Sequence, residues 1–357
     1  MENYIIWISG ALLFGQFCKV LSIPVLIGFI FSGYIFNVLG FADYDNLLEK
    51  PGKIGIDLLL FSIGLHIKPS KIFNFGYFSI VILHTIFVSI LYLIFINFDF
   101  LMEIKILFCI ALTFSSTIIA SKSLEDRKEI NSFHGKISII ILIFQDILLL
   151  CLLLYSSSIN PSKYSFILLF IPLLIHFFKK LLYKLKSNDE LIMLTSLFLA
   201  LFLGTFAFEK FGLSGEIGAL FIGILMSNYK FADNLAEKIW SIRELFLLFF
   251  FISLGMKLNI DLEVFLYSLI ILFLIIIKTI ILFLLLIVLR LRSYTSFLIA
   301  ISLTTYSEFL LVLGSMWEKN GIIDSLYFSI IICSVCLSFI IGSVLNKQVH
   351  YIFIKFE

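Results

Sequence analysis

Charge is scarce in this sequence. Only 14% of its 357 residues are Asp, Glu, Lys or Arg, where a soluble domain carries about 25%. Hydrophobic residues fill 61% of positions, and mean hydropathy is +1.12. A soluble globule of this size would leave large apolar patches in water, which excludes a cytoplasmic enzyme and a disordered chain. No sign of charge dominates either. The 26 basic and 24 acidic residues leave a net charge of +2, so there is no basic footprint for DNA or RNA. Cysteine is sparse, and all five fall inside apolar runs. Cys333 and Cys336 have C-x-x-C spacing but share one run, where they read as small apolar filling and not as redox or metal ligands. The N-terminal run has no basic segment before it and no small-residue cleavage site after it, so it reads as a spanning helix and not as a signal peptide. Metalloprotease, hydrolase and P-loop signatures are absent, which argues against an enzyme.

What the sequence has is apolar length. A spanning helix needs about 20 apolar residues. Thirteen apolar windows are candidates, near 4–18, 23–40, 54–66, 75–97, 104–121, 137–155, 164–178, 191–208, 213–227, 245–256, 264–289, 295–316 and 325–345, of which the third, ninth and tenth are short or glycine-interrupted. They predict an all-α membrane protein with 13 transmembrane helices. No polar connector exceeds about 20 residues, so one transmembrane domain over 1–357 is expected, with no soluble regulatory domain and no cofactor. The positive-inside rule orients it. With the N-terminus outside, eighteen Lys and Arg face the cytoplasm, among them Lys19, Lys68, Lys71, Lys122, Arg127, Lys186 and Lys355. Seven, including Lys53, Lys163, Lys210 and Lys257, face the other way, and Lys278 is left inside a span. The C-terminus is then cytoplasmic, and the short connectors fit a bacterial inner membrane.

A repeat runs through the chain. Gly28-Phe29-Ile30-Phe31-Ser32-Gly33 matches Gly218-Ala219-Leu220-Phe221-Ile222-Gly223 at an offset of 190. Phe61-Ser62-Ile63-Gly64-Leu65 matches Ile252-Ser253-Leu254-Gly255-Met256, and Leu112-Thr113-Phe114-Ser115-Ser116 matches Leu303-Thr304-Thr305-Tyr306-Ser307, both at 191. The offset corresponds to seven spans. Seven is odd, so the second copy is inverted. Repeat one covers about 4–155 and repeat two about 191–345, joined by a linker helix over about 164–178. Inverted repeats mark secondary transporters whose site lies at mid-membrane.

Three charges lie well inside spans: Asp146, Lys278 and Glu308. A charge at that depth costs about 2.5–3.5 kcal/mol on insertion scales. The structural explanation is paired charges that fix helix register. The functional one starts from Asp146. A carboxylate holds either a proton or a monovalent cation in one place. Desolvation favours the neutral form and a bound cation the charged form, so the two ligands exclude each other. Gln145 offers a further oxygen, but it lies about 100° round the helix from Asp146, so another element must close the site. The polar clusters Ser115-Ser116-Thr117 and Thr304-Thr305-Tyr306-Ser307-Glu308 supply candidates, because broken helices at membrane depth are tolerated where they line a site. The same hydroxyls would serve packing if they bond back to carbonyls one turn earlier. Lys278 is the expected counter-ion, either paired with Asp146 or neutralising the carbonyl ends of the broken helices. His84 and His176 read as packing or interfacial residues, and Glu216 as a favourable charge at a helix start.

At these residues the chain resembles the monovalent cation:proton antiporter-2 family, in particular the membrane part of Kef-type potassium:proton antiporters. The resemblance rests on Ile23-Pro24-Val25-Leu26-Ile27-Gly28 with Gly33, Leu59-Leu60-Phe61-Ser62-Ile63-Gly64-Leu65, Ala111–Ala120 with Leu124-Glu125-Asp126-Arg127, Phe144-Gln145-Asp146-Ile147, and Phe250–Met256. Lys278 and Ser307-Glu308-Phe309 fall on the family's eleventh and twelfth helices. The resemblance implies a sodium/proton-antiporter-like fold with broken crossing helices at Ser115–Thr117 and Thr305–Glu308. It also implies a mobile core of helices 4–6 and 11–13 moving elevator-fashion against a scaffold of helices 1–3 and 8–10, and a homodimer. It assigns cation and proton binding to Asp146 with Gln145, Ser115, Ser116 and Thr117, and coupling to Lys278 and Glu308. Gly64-Leu65-His66 stands where the family has Gly-Leu-Glu, and Thr305 and Tyr306 replace its glutamine and glycine. Exchange of potassium or sodium for protons is the expected activity. A passive cation channel and an organic-anion transporter on the same fold are the rivals.

Overall fold

The computed structural model describes residues 2–41, 47–66, 75–96, 98, 101–156, 162, 168, 170–185 and 188–354. Lys68, Lys71, Lys163, Lys186, Lys355 and the start of the seventh window lie outside them. The described residues hold helices and no strand. In chain order these are α1 (Glu2–Val20), α2 (Val25–Val38), α3 (Glu49–His66), α4 (Phe75–Phe95), α5 (Met102–Ala111), α6 (Thr117–Asp126), α7 (Phe133–Ser156) and α8 (Ile171–Leu185). They continue with α9 (Asp189–Lys210), α10 (Gly215–Ser227), α11 (Ala232–Lys257), α12 (Leu262–Val288), α13 (Ser293–Ser302), α14 (Phe309–Lys319) and α15 (Ser325–Ile354). Six of these, α4, α7, α9, α11, α12 and α15, are long and apolar enough to cross a membrane. Helices α1, α2, α10 and α13 are shorter and apolar.

The chain divides into two compact units. The first takes the described residues within 1–40, 74–156 and 254–357, and the second those within 41–73 and 157–253. In the first, α12 packs on α4, α13 and α15, and α4 packs on α5 and α7. Helix α12 has no glycine or proline in 27 residues, and its two charges are Glu263 in the first turn and Lys278. In apolar surroundings such a sequence forms helix throughout, since every backbone polar group must be satisfied within it.

Two helices of this unit are interrupted. Helix α5 stops at Ala111 and α6 starts at Thr117. Thr113 Oγ1 donates to Ile110 O at 2.7 Å, taking a carbonyl that the helix would otherwise use. Ser116 is extended, with φ −71° and ψ 118°, and its Oγ accepts from Ile119 N to cap α6. Serine and threonine compete in this way with helical backbone bonds. The second interruption repeats the first. Helix α13 stops at Ser302, Thr304 Oγ1 donates to Ile301 O at 2.8 Å, and α14 starts at Phe309.

The second unit is built on α3, α8, α9, α10 and most of α11, around Leu58, Phe61, Leu199, Ala219, Ile222 and Leu235. Helices α3 and α10 meet backbone to backbone. A Cβ on Gly223 would lie 2.3 Å from Phe61 O, and one on Gly64 would lie 2.5 Å from Leu220 O. Neither contact can relax by rotating a side chain. Gly223→Ala is therefore expected to cost about 1–3 kcal/mol, the usual range for overpacking. The check is the thermal unfolding midpoint in detergent, and an unchanged midpoint would show that the seam yields.

Candidate functional site

The two interruptions meet at Lys278. This side chain projects from mid-α12 and is fully buried. Its Nζ donates to Phe114 O at 2.9 Å and to Thr305 O at 2.8 Å. One carbonyl belongs to each interruption. The ammonium also lies 5.2 Å from the centre of the Tyr306 ring, a favourable distance for a cation over an aromatic face. Helix α12 is itself anchored at several carbonyls. Tyr306 Oη donates to Ile271 O at 2.6 Å and Tyr92 Oη to Leu274 O at 2.9 Å, and His84 Nε2 lies 3.2 Å from Lys278 O.

Side chains from the following helices fasten the interruptions. Gln145 Oε1 on α7 accepts from Ser115 N at 3.0 Å. Ser338 Oγ on α15 accepts from Tyr306 N at 3.2 Å. Ser115 Oγ crosses from one interruption to the other and donates to Leu303 O at 2.8 Å. Backbone groups that a break would orphan thus find partners, as membrane depth requires.

Asp146 stands one residue beyond Gln145 and is 8% exposed. Thr117 Oγ1, in the first turn of α6, lies 3.1 Å from its Oδ2 and 3.3 Å from its Oδ1. Glu308 is close enough to interact with it electrostatically. The placement follows the helix dipoles. Just beyond the carbonyl ends of α5 and α13, which carry partial negative charge, Phe114 O and Thr305 O receive Lys278. The amide ends of α6 and α14 carry partial positive charge and receive Asp146 and Glu308. Chemically, the arrangement presents a buried carboxylate and a hydroxyl at a helix start, with the neighbouring ammonium committed to backbone.

The sequence expectations fare unequally. Asp146 and Thr117 come together. Gln145, Ser115 and Ser116 stand beside them, but their described bonds go to backbone groups of the two interruptions and of the first turn of α6. Lys278 donates to one backbone carbonyl in each interruption. Gln145 Nε2 has no partner among the described residues. Tyr92, Tyr306, His84 and Ser338 were not singled out as site residues. Among them only the buried histidine and the polar cluster around Tyr306 left a mark in the sequence. The described residues contain no group of three or more His, Cys, Asp or Glu arranged for a metal ion. A monovalent cation does not require one, since carboxylate, hydroxyl and carbonyl oxygens suit hard cations.

Helices that end and restart around buried charges at membrane depth are a feature of secondary transporters. The family model described as "Sodium/hydrogen exchanger, transmembrane" matches residues 8–347, and the chain belongs to that family. It is similar to K(+) efflux antiporter 5 of Arabidopsis thaliana, 27% identical over 98% of this chain and 66% of that protein. It is also similar to K(+) efflux antiporter 6 of the same plant, 27% identical over 91% of this chain and 59% of that protein. The chain thus spans less than two thirds of either relative's length. The solved sodium proton antiporter MjNhaP1 from Methanocaldococcus jannaschii shares the fold, with a TM-score of 0.67, 18% identity and 98% coverage of both chains. Proteins so named move ions and do not transform them, and the sequence reading of a membrane transporter without enzymatic chemistry stands with them.

Proposed function

We propose that the protein is a secondary active antiporter that exchanges potassium or sodium for protons by alternating access. The observation that carries this reading is Asp146, buried beside Thr117 at the amide end of α6. In one state its carboxylate holds a proton. In the other it holds a dehydrated cation, with Thr117 as a neutral ligand. Lys278 supports the site from behind by neutralising the two carbonyl ends. That engagement weighs against the organic-anion reading, which needs the ammonium free for a carboxylate. Potassium is the first ion to test, because the two plant relatives are named for potassium efflux.

The same reading takes α5–α6 and α13–α14 as two broken spans, which turns the fifteen described helices into thirteen spans. The inverted repeat gains support from bonds at the offset of 191 found in the sequence. Thr113 and Thr304 cap equivalent carbonyls. Phe114 and Thr305, also equivalent, supply the two acceptors of Lys278. Spans 4–6 and 11–13 fall in one compact unit, as an elevator core would. Spans 1 and 2 group with them, whereas the family resemblance places those spans in the scaffold. A homodimer in the cell membrane, N-terminus outside and C-terminus cytoplasmic, completes the proposal.

The test is proton flux in proteoliposomes with a lumenal pH dye and potassium, sodium or choline added outside. Alkalinisation by one alkali cation and not by choline is the expected result. Cation uptake with no proton movement would replace the antiporter with the channel.

A further inference from the structure

The chain carries a further deeply buried carboxylate, in the unit that does not hold Asp146 and Glu308. Asp57 lies in the middle of α3 and is 1% exposed. An ionisable group at such depth is expensive and marks function by default. Its acidic neighbours have partners: Glu209 pairs with Lys53, and Glu216 accepts a hydrogen bond from Ser214 Oγ. Asp57 differs from both. It stands beside Thr205, and its Oδ1 has no partner among the described residues. A buried oxygen in that condition calls for an explanation.

Thr205 supplies part of one. It sits in a π-helical stretch of α9, Phe198–Phe206, a widening that often marks functional positions. Its Oγ1 donates to Ala200 O at 3.4 Å. A hydroxyl has one hydrogen, so Thr205 can give Asp57 at most one hydrogen bond, and Oδ1 stays without a donor among the described residues. The cluster is also closed tightly. A Cβ on Gly215 would lie 2.6 Å from Thr205 Cγ2 and 2.9 Å from Glu209 Oε1. The charges facing Asp57 are Lys53 on its own helix, Glu209 on α9 and Glu216 on α10. Helix α11 presents Phe246, Leu247 and Phe250 to Gly52 and Gly55, while its Arg243 bonds to Ser62 and Glu244. An ammonium one helical turn away opposes entry of a metal cation. A proton neutralises the carboxylate without that conflict.

We propose that Asp57 is a second proton-binding site, distinct from Asp146, loaded from the face where the Lys53–Glu209 pair meets solvent. The Lys53 and Glu209 side chains are 47% and 41% exposed and lie in the second turn of α3 and the last turn of α9. They are the members of the cluster exposed to solvent. On the antiporter reading, which this inference extends, that pair is on the outer face, and the Asp57 proton makes exchange responsive to external pH.

Infrared difference spectroscopy of the purified chain in nanodiscs tests this without transport, so its outcome is separable from that of the flux assay. In an Asp146→Asn, Glu308→Gln background, a protonated-carboxyl band should remain and should vanish when Asp57→Asn is added. Lys53→Gln removes a charge that favours the carboxylate and should move loss of the band to more alkaline pH, by about one unit. Glu216→Gln should move it the other way. The two shifts keep the test sharp even where Asp57→Asn fails to fold. An unchanged band in Asp57→Asn, an unmoved midpoint in both charge variants, or bleaching by potassium or sodium chloride relative to choline chloride would overturn the proposal.

Discussion

Asp146→Asn is expected to fold and to move no protons in exchange for cations. The amide has the size of the carboxyl and keeps an oxygen for Thr117, so the contacts at the start of α6 survive. It has lost both chemistries of the site, because it neither takes up a proton near neutral pH nor offers a full negative charge to a dehydrated cation. Coupled flux should therefore fall to the level of empty liposomes. Stability should move differently. Asp146 interacts electrostatically with Glu308, and neutralising one member of a like-charged pair in apolar surroundings relieves repulsion. The thermal midpoint in detergent should match or exceed that of the wild type. Undiminished exchange in a well-folded Asp146→Asn protein would remove this carboxylate from the mechanism.

Lys278→Met should have the opposite signature, with stability falling and exchange lost along with it. Methionine fills most of the lysine volume but cannot donate. Phe114 O and Thr305 O then sit buried without the ammonium, at about 1–3 kcal/mol for each orphaned acceptor. Removing a buried cation recovers part of the cost of its desolvation. A net loss of about 2–4 kcal/mol remains, visible as a lower midpoint in thermal or denaturant unfolding. A midpoint equal to the wild type would mean that the carbonyls find other donors once the lysine is gone.

Much of this arrangement was legible in the sequence, and the exceptions have physical reasons. The interruptions were announced by Thr113-Phe114-Ser115-Ser116 and by Thr304 to Glu308, polar runs where the surroundings are leucine, isoleucine and phenylalanine. Asp146 and Lys278 stood out by their cost. The acceptors of Lys278 did not, since a peptide carbonyl is the same at every residue and leaves no trace in side-chain identity. Gln145 was read as a possible ligand because an amide serves equally well as a ligand and as a backbone clamp. The tenth window, 245–256, caught only the apolar half of α11, because Asp233, Glu237, Lys238, Arg243 and Glu244 dilute the hydropathy of its first turns. Asp57 stands in a short, glycine-interrupted window close after Lys50 and Lys53, where one more charge does not stand out. The π-helical stretch Phe198–Phe206 has no compositional signature, since its residues suit an α-helix equally well.

The double bond from Lys278 has a mechanical consequence. A single nitrogen is tied to both interruptions, and Ser115 adds a direct strut between them. Neither break can loosen without straining the other, so the pair behaves as one joint pinned at its centre. Asp146 hangs from the same joint through Thr117, and Gln145 beside it through Ser115 N. Any displacement that carries the carboxylate must therefore carry the whole frame with it. Flexing at the breaks is the motion that this pin forbids.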